Sequence, residues 1–186
     1  MPDVDMAEFH MGRQRRVILA CEKWWPLTGS NPLPNSADCS GFVKSVAREI
    51  GVTLTGDANM IYNAIQHSPW SRLESPDDAA QLAALAASNG MFVVGAWKNP
   101  DPRQYGQVAV IVDTNCSSRS PGFRKRALAS GRQIGLESRA MAYWGRIGPE
   151  GHEAQGQDKG DPMHSESWSS AERPTVIYAA CTISAP

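Results

Sequence analysis

The chain has 186 residues, 41% of them hydrophobic and 20% charged, with 18 basic side chains against 19 acidic ones. A net charge of -1 gives no overall pull toward nucleic acid or anionic lipid, and 16 Gly with 13 Pro lies far from collagen-like or disordered compositions. What remains is a single soluble domain over 1–186, long enough to bury about two-thirds of its unfolded surface without metals or cross-links.

No apolar run approaches the roughly 20 residues of a membrane-spanning helix, so no membrane partner is expected. Residues 1–16 carry Asp3, Asp5 and Glu8 ahead of Arg13, Arg15 and Arg16, with no apolar core and no small-residue cleavage site. They do not read as an export signal, and synthesis in the cytoplasm is expected, with 1–12 as a flexible extension. The first helical pattern spans 13–25, where Val17, Cys21, Trp24 and Trp25 share a face and Pro26 ends it. A Gly-, Ser-, Asn- and Pro-rich loop follows over 28–37.

Asp38 then stands where an N-cap belongs, and Cys39, Phe42, Val43, Val46, Ala47 and Ile50 recur at helical spacing. Cys39 therefore opens a buried helix, which Gly51 closes. Shorter helices are expected over 58–66 and 75–89, the second with Asp77 and Asp78 in its first turn and Gly90 past its end. Residues 91–97 and 107–112 are Val-rich and suggest an antiparallel pair, with further strands over 141–147 and 175–183. Helices first and strands after argue for an α+β domain. Two charged loops interrupt the strands: a basic one over 114–139 and an acidic one over 149–173, both read as solvated, with the basic one also a candidate for an acidic partner or an anionic wall polymer.

The segment with chemical content is Asn35-Ser-Ala-Asp-Cys-Ser-Gly-Phe-Val43. A thiol in the first turn of a helix meets N–H groups that the helix cannot pair internally, and the positive end of the helix dipole favours its thiolate. Ser40 and Gly41 leave room for a substrate carbonyl, and the Cys39 and Ser40 backbone N–H groups could form an oxyanion hole. A buried structural cysteine is the competing reading. A nucleophilic thiol needs a base, and Tyr105-Gly106-Gln107-Val108-Ala109-Val110 has the pattern of the strand that carries one, with Gln107 at its polar position.

Asp38-Cys39-Ser40-Gly41-Phe42-Val43 followed by Tyr105-Gly106-Gln107-Val108-Ala109-Val110 resembles the NlpC-type papain-like cysteine peptidases, in which Asp-Cys-Ser-Gly-Phe bears the nucleophile and Gly-His-Val-Ala-Val the base. Within them the chain is similar to the first family of type VI secretion amidase effectors. That likeness extends over Cys21-Glu-Lys-Trp-Trp25, Val46-Ala-Arg-Glu-Ile-Gly-Val52, Ser68-Pro-Trp70 and Tyr178-Ala-Ala-Cys181. The resemblance implies a papain-like fold with helices packed on an antiparallel sheet. It also implies a monomer acting without cofactor or metal on the peptidoglycan stem peptide, at a γ-D-glutamyl amide bond, in the periplasm of target bacteria. A cognate immunity protein and a secretion-tube protein are the implied partners.

Gln107 occupies the histidine position, and an amide is neither a base near neutral pH nor an acid able to protonate a leaving amine. The expectation is thus an inactive or strongly impaired amidase, or alternatively a non-catalytic module that binds peptidoglycan or a protein through the retained groove. His10, His67, His152 and His164 are weak substitutes for the base, and no pair of them has a metal-ligand spacing such as His-x-x-x-His. The orienting residue on the next strand is Trp144 or Ala142. Cys181 resembles the family's C-terminal disulfide cysteine, but the usual partner position reads Arg16; the alternatives are Cys21 or Cys116 as partner, or Cys181 as a thiol.

Overall fold

The computed structural model describes residues 6–24, 39–75, 79–112, 141–143, 163–164 and 173–184. Four helices and six strands occur among them: α1 (Met6–Trp24), α2 (Cys39–Glu49), α3 (Ala58–Ala64), β1 (Ser71–Leu73), α4 (Ala79–Ser88), β2 (Phe92–Trp97), β3 (Gln107–Val112), β4 (Met141–Tyr143), β5 (Met163–His164) and β6 (Ile177–Cys181). The strands form one sheet in the order β1-β6-β2-β3-β4-β5, every neighbouring pair antiparallel. The α+β class expected from the order of helices and strands is the class observed.

Helix ends follow their sequence signals. Gly51 lies at φ 82° and Gly90 at φ 75°, a left-handed conformation that costs glycine little because it has no Cβ. At the first, the Gly51 N–H donates to the Arg48 carbonyl at 3.2 Å and the Val52 N–H to the Ala47 carbonyl at 2.8 Å. The same pair of bonds recurs at Gly90 and Met91, which reach Ala87 and Ala86 at 3.0 and 3.2 Å. Both are Schellman turns, and they satisfy carbonyls the helix leaves over. Asp57 caps α3, its carboxylate accepting from the Met60 N–H at 2.9 Å.

The core lies between helices and sheet. Phe42, Val43, Val46 and Ala47 of α2 are wholly buried, and α2 packs on β3. Phe92, Val93, Val94 and Ala96 of β2 are equally buried although their side chains alternate between faces, so both faces of the central strands are covered. Trp70 adds a tilted ring contact to Phe92, with centroids 5.8 Å apart.

Several boundaries differ from the sequence expectation. α1 begins at Met6, inside the stretch expected as a flexible extension, rather than at residue 13. β1 and β5 were not anticipated; at three and two residues they are too short to show alternation. β5 falls inside the acidic stretch, so that stretch contributes an edge strand. The 28–37 loop, Asp38, Cys116, Trp144, His152 and the basic loop lie outside the described residues.

Candidate active site

The thiol half of the site is built by α2. Cys39 is its first residue and is half-buried. At about 100° per residue, Cys39 falls on the same side of the helix as Val43, Val46 and Ile50, the side turned to the core. Packing of Phe42 and Val43 therefore fixes the rotation of α2 and with it the direction in which position 39 projects. Ser40 is buried and Gly41 half-buried.

The strand half begins at Gln107, the first residue of β3, also half-buried and paired in register with Trp97 at the end of β2. Gly106 immediately precedes it. A Cβ at position 106 would run into the Trp97 carbonyl oxygen and come within 2.6 Å of Asn59 Oδ1 and 3.2 Å of Lys98 Cα. Only glycine lets the chain enter β3 this close to β2. Tyr105 is 79% exposed on the rim.

Asn59 on α3 grips the β2–β3 connection from both sides. Its Nδ2 donates to the Gln104 carbonyl at 2.9 Å, and its Oδ1 accepts the Asn99 N–H at 3.1 Å. Asn99 continues the chain of bonds, donating to the Tyr105 carbonyl at 3.3 Å and accepting the Asp101 N–H at 3.0 Å. Lys98 reaches back to Asn63 Oδ1 at 3.2 Å. Position 107 is thus held by a polar clamp rather than by packing alone. Sequence reasoning missed Asn59, because a half-buried asparagine on a short helix carries no mark of a partner 40 residues away.

The backbone at His164 lies well away from position 107. The register runs from His164 through Ala142 to Ile111, two strands across and four residues along from Gln107. At about 4.8 Å per strand and 3.3 Å per residue this separates the two backbones by about 16 Å. Among the described residues, no group of three or more His, Cys, Asp or Glu is placed to hold a metal ion. No described helix is long and apolar enough to cross a membrane.

The Cys21–Cys181 bridge is not formed: Cys21, Cys39 and Cys181 are all thiols. Burial raises the Cys181 thiol above its ordinary value, which favours the protonated, unreactive form. The link between the first helix and the segment after β6 is made instead at the position where the bridging cysteine was sought, since Arg16 Nη1 donates to the Ser184 carbonyl at 2.8 Å.

No family model matches the chain. The chain nevertheless belongs to a family of peptidoglycan amidases. A relative is the peptidoglycan amidase Tse1 of Pseudomonas aeruginosa, 30% identical over an alignment of 173 residues that covers 90% of this chain and 93% of that protein.

Proposed function

We propose that the chain is a peptidoglycan stem-peptide amidase scaffold of the NlpC-type, papain-like kind, with Cys39 as nucleophile and Gln107 in the place of the base. The observation that carries this reading is Cys39 at the head of α2, a helix packed on the strand that Gln107 opens, in a chain 30% identical to a peptidoglycan amidase. In the full reaction a base takes the Cys39 thiol proton as Sγ attacks the scissile carbonyl carbon, the Cys39 and Ser40 N–H groups stabilise the oxyanion, the base gives its proton to the leaving amine, and water then hydrolyses the thioester to release the acid and restore the thiol. Asp38, Gly41, Tyr105 and Gly106 support the two halves.

Gln107 can hydrogen-bond to the thiol or to substrate, but it can neither take the thiol proton nor return one. The reaction then stalls at both proton transfers, and a positioned acid-base group is worth on the order of 10²- to 10⁴-fold. Helix-end activation of the thiol leaves a slow residual attack at most. The same observation favours a second reading, a non-catalytic module that binds peptidoglycan or a protein through the retained groove. Under either reading the partners are the stem peptide, an immunity protein and a secretion-tube protein, and the site of action is the periplasm of target bacteria.

Incubation of the purified chain with muropeptides separates the two. Slow cleavage that disappears in Cys39→Ala supports the impaired enzyme; saturable binding without product supports the module. Cleavage undiminished in Cys39→Ala would overturn the assignment of the nucleophile.

A further inference from the structure

The side of α2 turned away from Cys39 forms a second site. Gly41, Lys44, Ser45 and Arg48 lie roughly 140–240° around the helix from position 39, opposite the core face. The Schellman turn at Gly51 sends the chain back along this outer side, so that Val52, Thr53 and Leu54 face the helix across a groove of about 550 Å³. Lys44 bridges its mouth, its ammonium donating to the Gly56 carbonyl at 2.8 Å and keeping two further N–H donors. Arg48 is steadied from the other end by the Trp24 ring, 5.6 Å from its guanidinium carbon.

Both cations are oriented, yet neither makes an ion pair with a carboxylate among the described residues. Glu49 feels the Arg48 charge but is engaged more closely by Lys23 at 2.8 Å and by the Trp24 indole N–H at 3.3 Å, and Asp57, next to Gly56, caps α3. Two fixed positive charges with the Ser45 and Thr53 hydroxyls line a concave site of ligand size on a chain whose net charge is -1. Such a site suits an anion, and the carboxylate is the anion that the proposed polymer supplies.

We propose that this groove binds free carboxylates of peptidoglycan stem peptides on a strand other than the one presented to Cys39, as a second anchor on the polymer. The inference rests on the amidase-scaffold reading for the identity of the polymer. A stem peptide carries unamidated carboxyl groups at intervals along a repeating chain, and a second weak contact on a polymer raises retention through effective concentration without any new contact at the cleft.

The test is co-sedimentation of the full chain with purified sacculi, performed on Cys39→Ala so that no residual cleavage alters the polymer. Lys44→Gln combined with Arg48→Gln is expected to weaken sacculus binding by roughly five- to tenfold, with the gap narrowing as salt is raised. Because Arg48 packs on Trp24, Lys44→Arg with Arg48→Lys serves as the charge-preserving partner variant and is expected to retain most of the binding, with unfolding midpoints compared throughout. Equal binding by the Gln pair and the parent overturns the proposal. So does failure of the parent to bind sacculi, or a charge-dependent interaction confined to an acidic protein. Muropeptide cleavage by Gln107→His reads the cleft separately. If that variant is inert while the Gln pair still loses sacculus binding, the amidase reading fails and the groove stands.

Discussion

The two halves of the candidate site are held by different physics. On the helix side, Cys39 is aimed by hydrocarbon: Phe42, Val43, Val46 and Ala47 are fully buried and set the rotation of α2. On the strand side, Gln107 is aimed by polar groups: Asn59, Asn99 and the tight approach of Gly106 to β2 lock the turn that precedes it. On this contrast, the strand side depends little on which side chain stands at position 107. A change at position 107 leaves the clamp intact because the clamp is made by its neighbours.

The largest effect should therefore come from restoring chemistry alone. Gln107→His is expected to raise muropeptide cleavage by on the order of 10²-fold or more, since the backbone that presents residue 107 is already in place; no gain over the parent chain would break the comparison at its root. Next comes the hydrocarbon side. Phe42→Ala is expected to cost about 3–5 kcal/mol in denaturant unfolding, the range for a buried aromatic cut down to a methyl. An effect below about 1 kcal/mol would mean that α2 is not anchored as described.

On the polar side, Asn59→Ala removes two hydrogen bonds and should cost about 1–3 kcal/mol. Its more telling readout is in the Gln107→His background. There it should lower cleavage by more than the loss of stability accounts for, because it loosens residue 107 rather than α2. Equal cleavage with and without Asn59 would show that the clamp does not position residue 107.

The smallest effect is electrostatic. Hydrogen bonds from Lys23 and then from Trp24 hold the Glu49 carboxyl below its ordinary value of 4.5, and the Arg103 side chain does the same for Asp101 against 3.8. A carboxyl whose folded value is lowered adds stability that is complete above its unfolded value and is lost as pH falls through the lowered one. The unfolding midpoint should fall slightly on acidification below about pH 4.5. Lys23→Met should reduce that dependence at Glu49. An unchanged pH profile in Lys23→Met would show that the α1–α2 surface pair contributes nothing measurable.

Sequence periodicity located α2 to its first residue and β3 to its first residue, because Cys39 opens an apolar 3.6-residue pattern and Gln107 an unbroken Val-rich run. Gly51 and Gly90 marked helix ends because few other residues accept their backbone angles. What escaped was structure made by long-range partners. β1 and β5 exist because β6 and β4 pair with them, and nothing within three or two residues announces that. Asn59 looks like any polar helix residue until the β2–β3 connection is folded against it. The thiol pairing likewise could not be chosen from spacing; in the structure α1 meets the chain after β6 through the Arg16 hydrogen bond to Ser184.

The position of β6 between β1 and β2 has a further consequence. Until Ile177–Cys181 arrives, both of those strands present open hydrogen-bonding edges, and β2 is among the most hydrophobic segments of the molecule. A nascent or clipped polypeptide lacking that segment would display an adhesive ribbon instead of a closed sheet. Assembly of the interior must wait for a contact between regions distant in sequence, which makes this closure slow and places the risk of self-association before it rather than after.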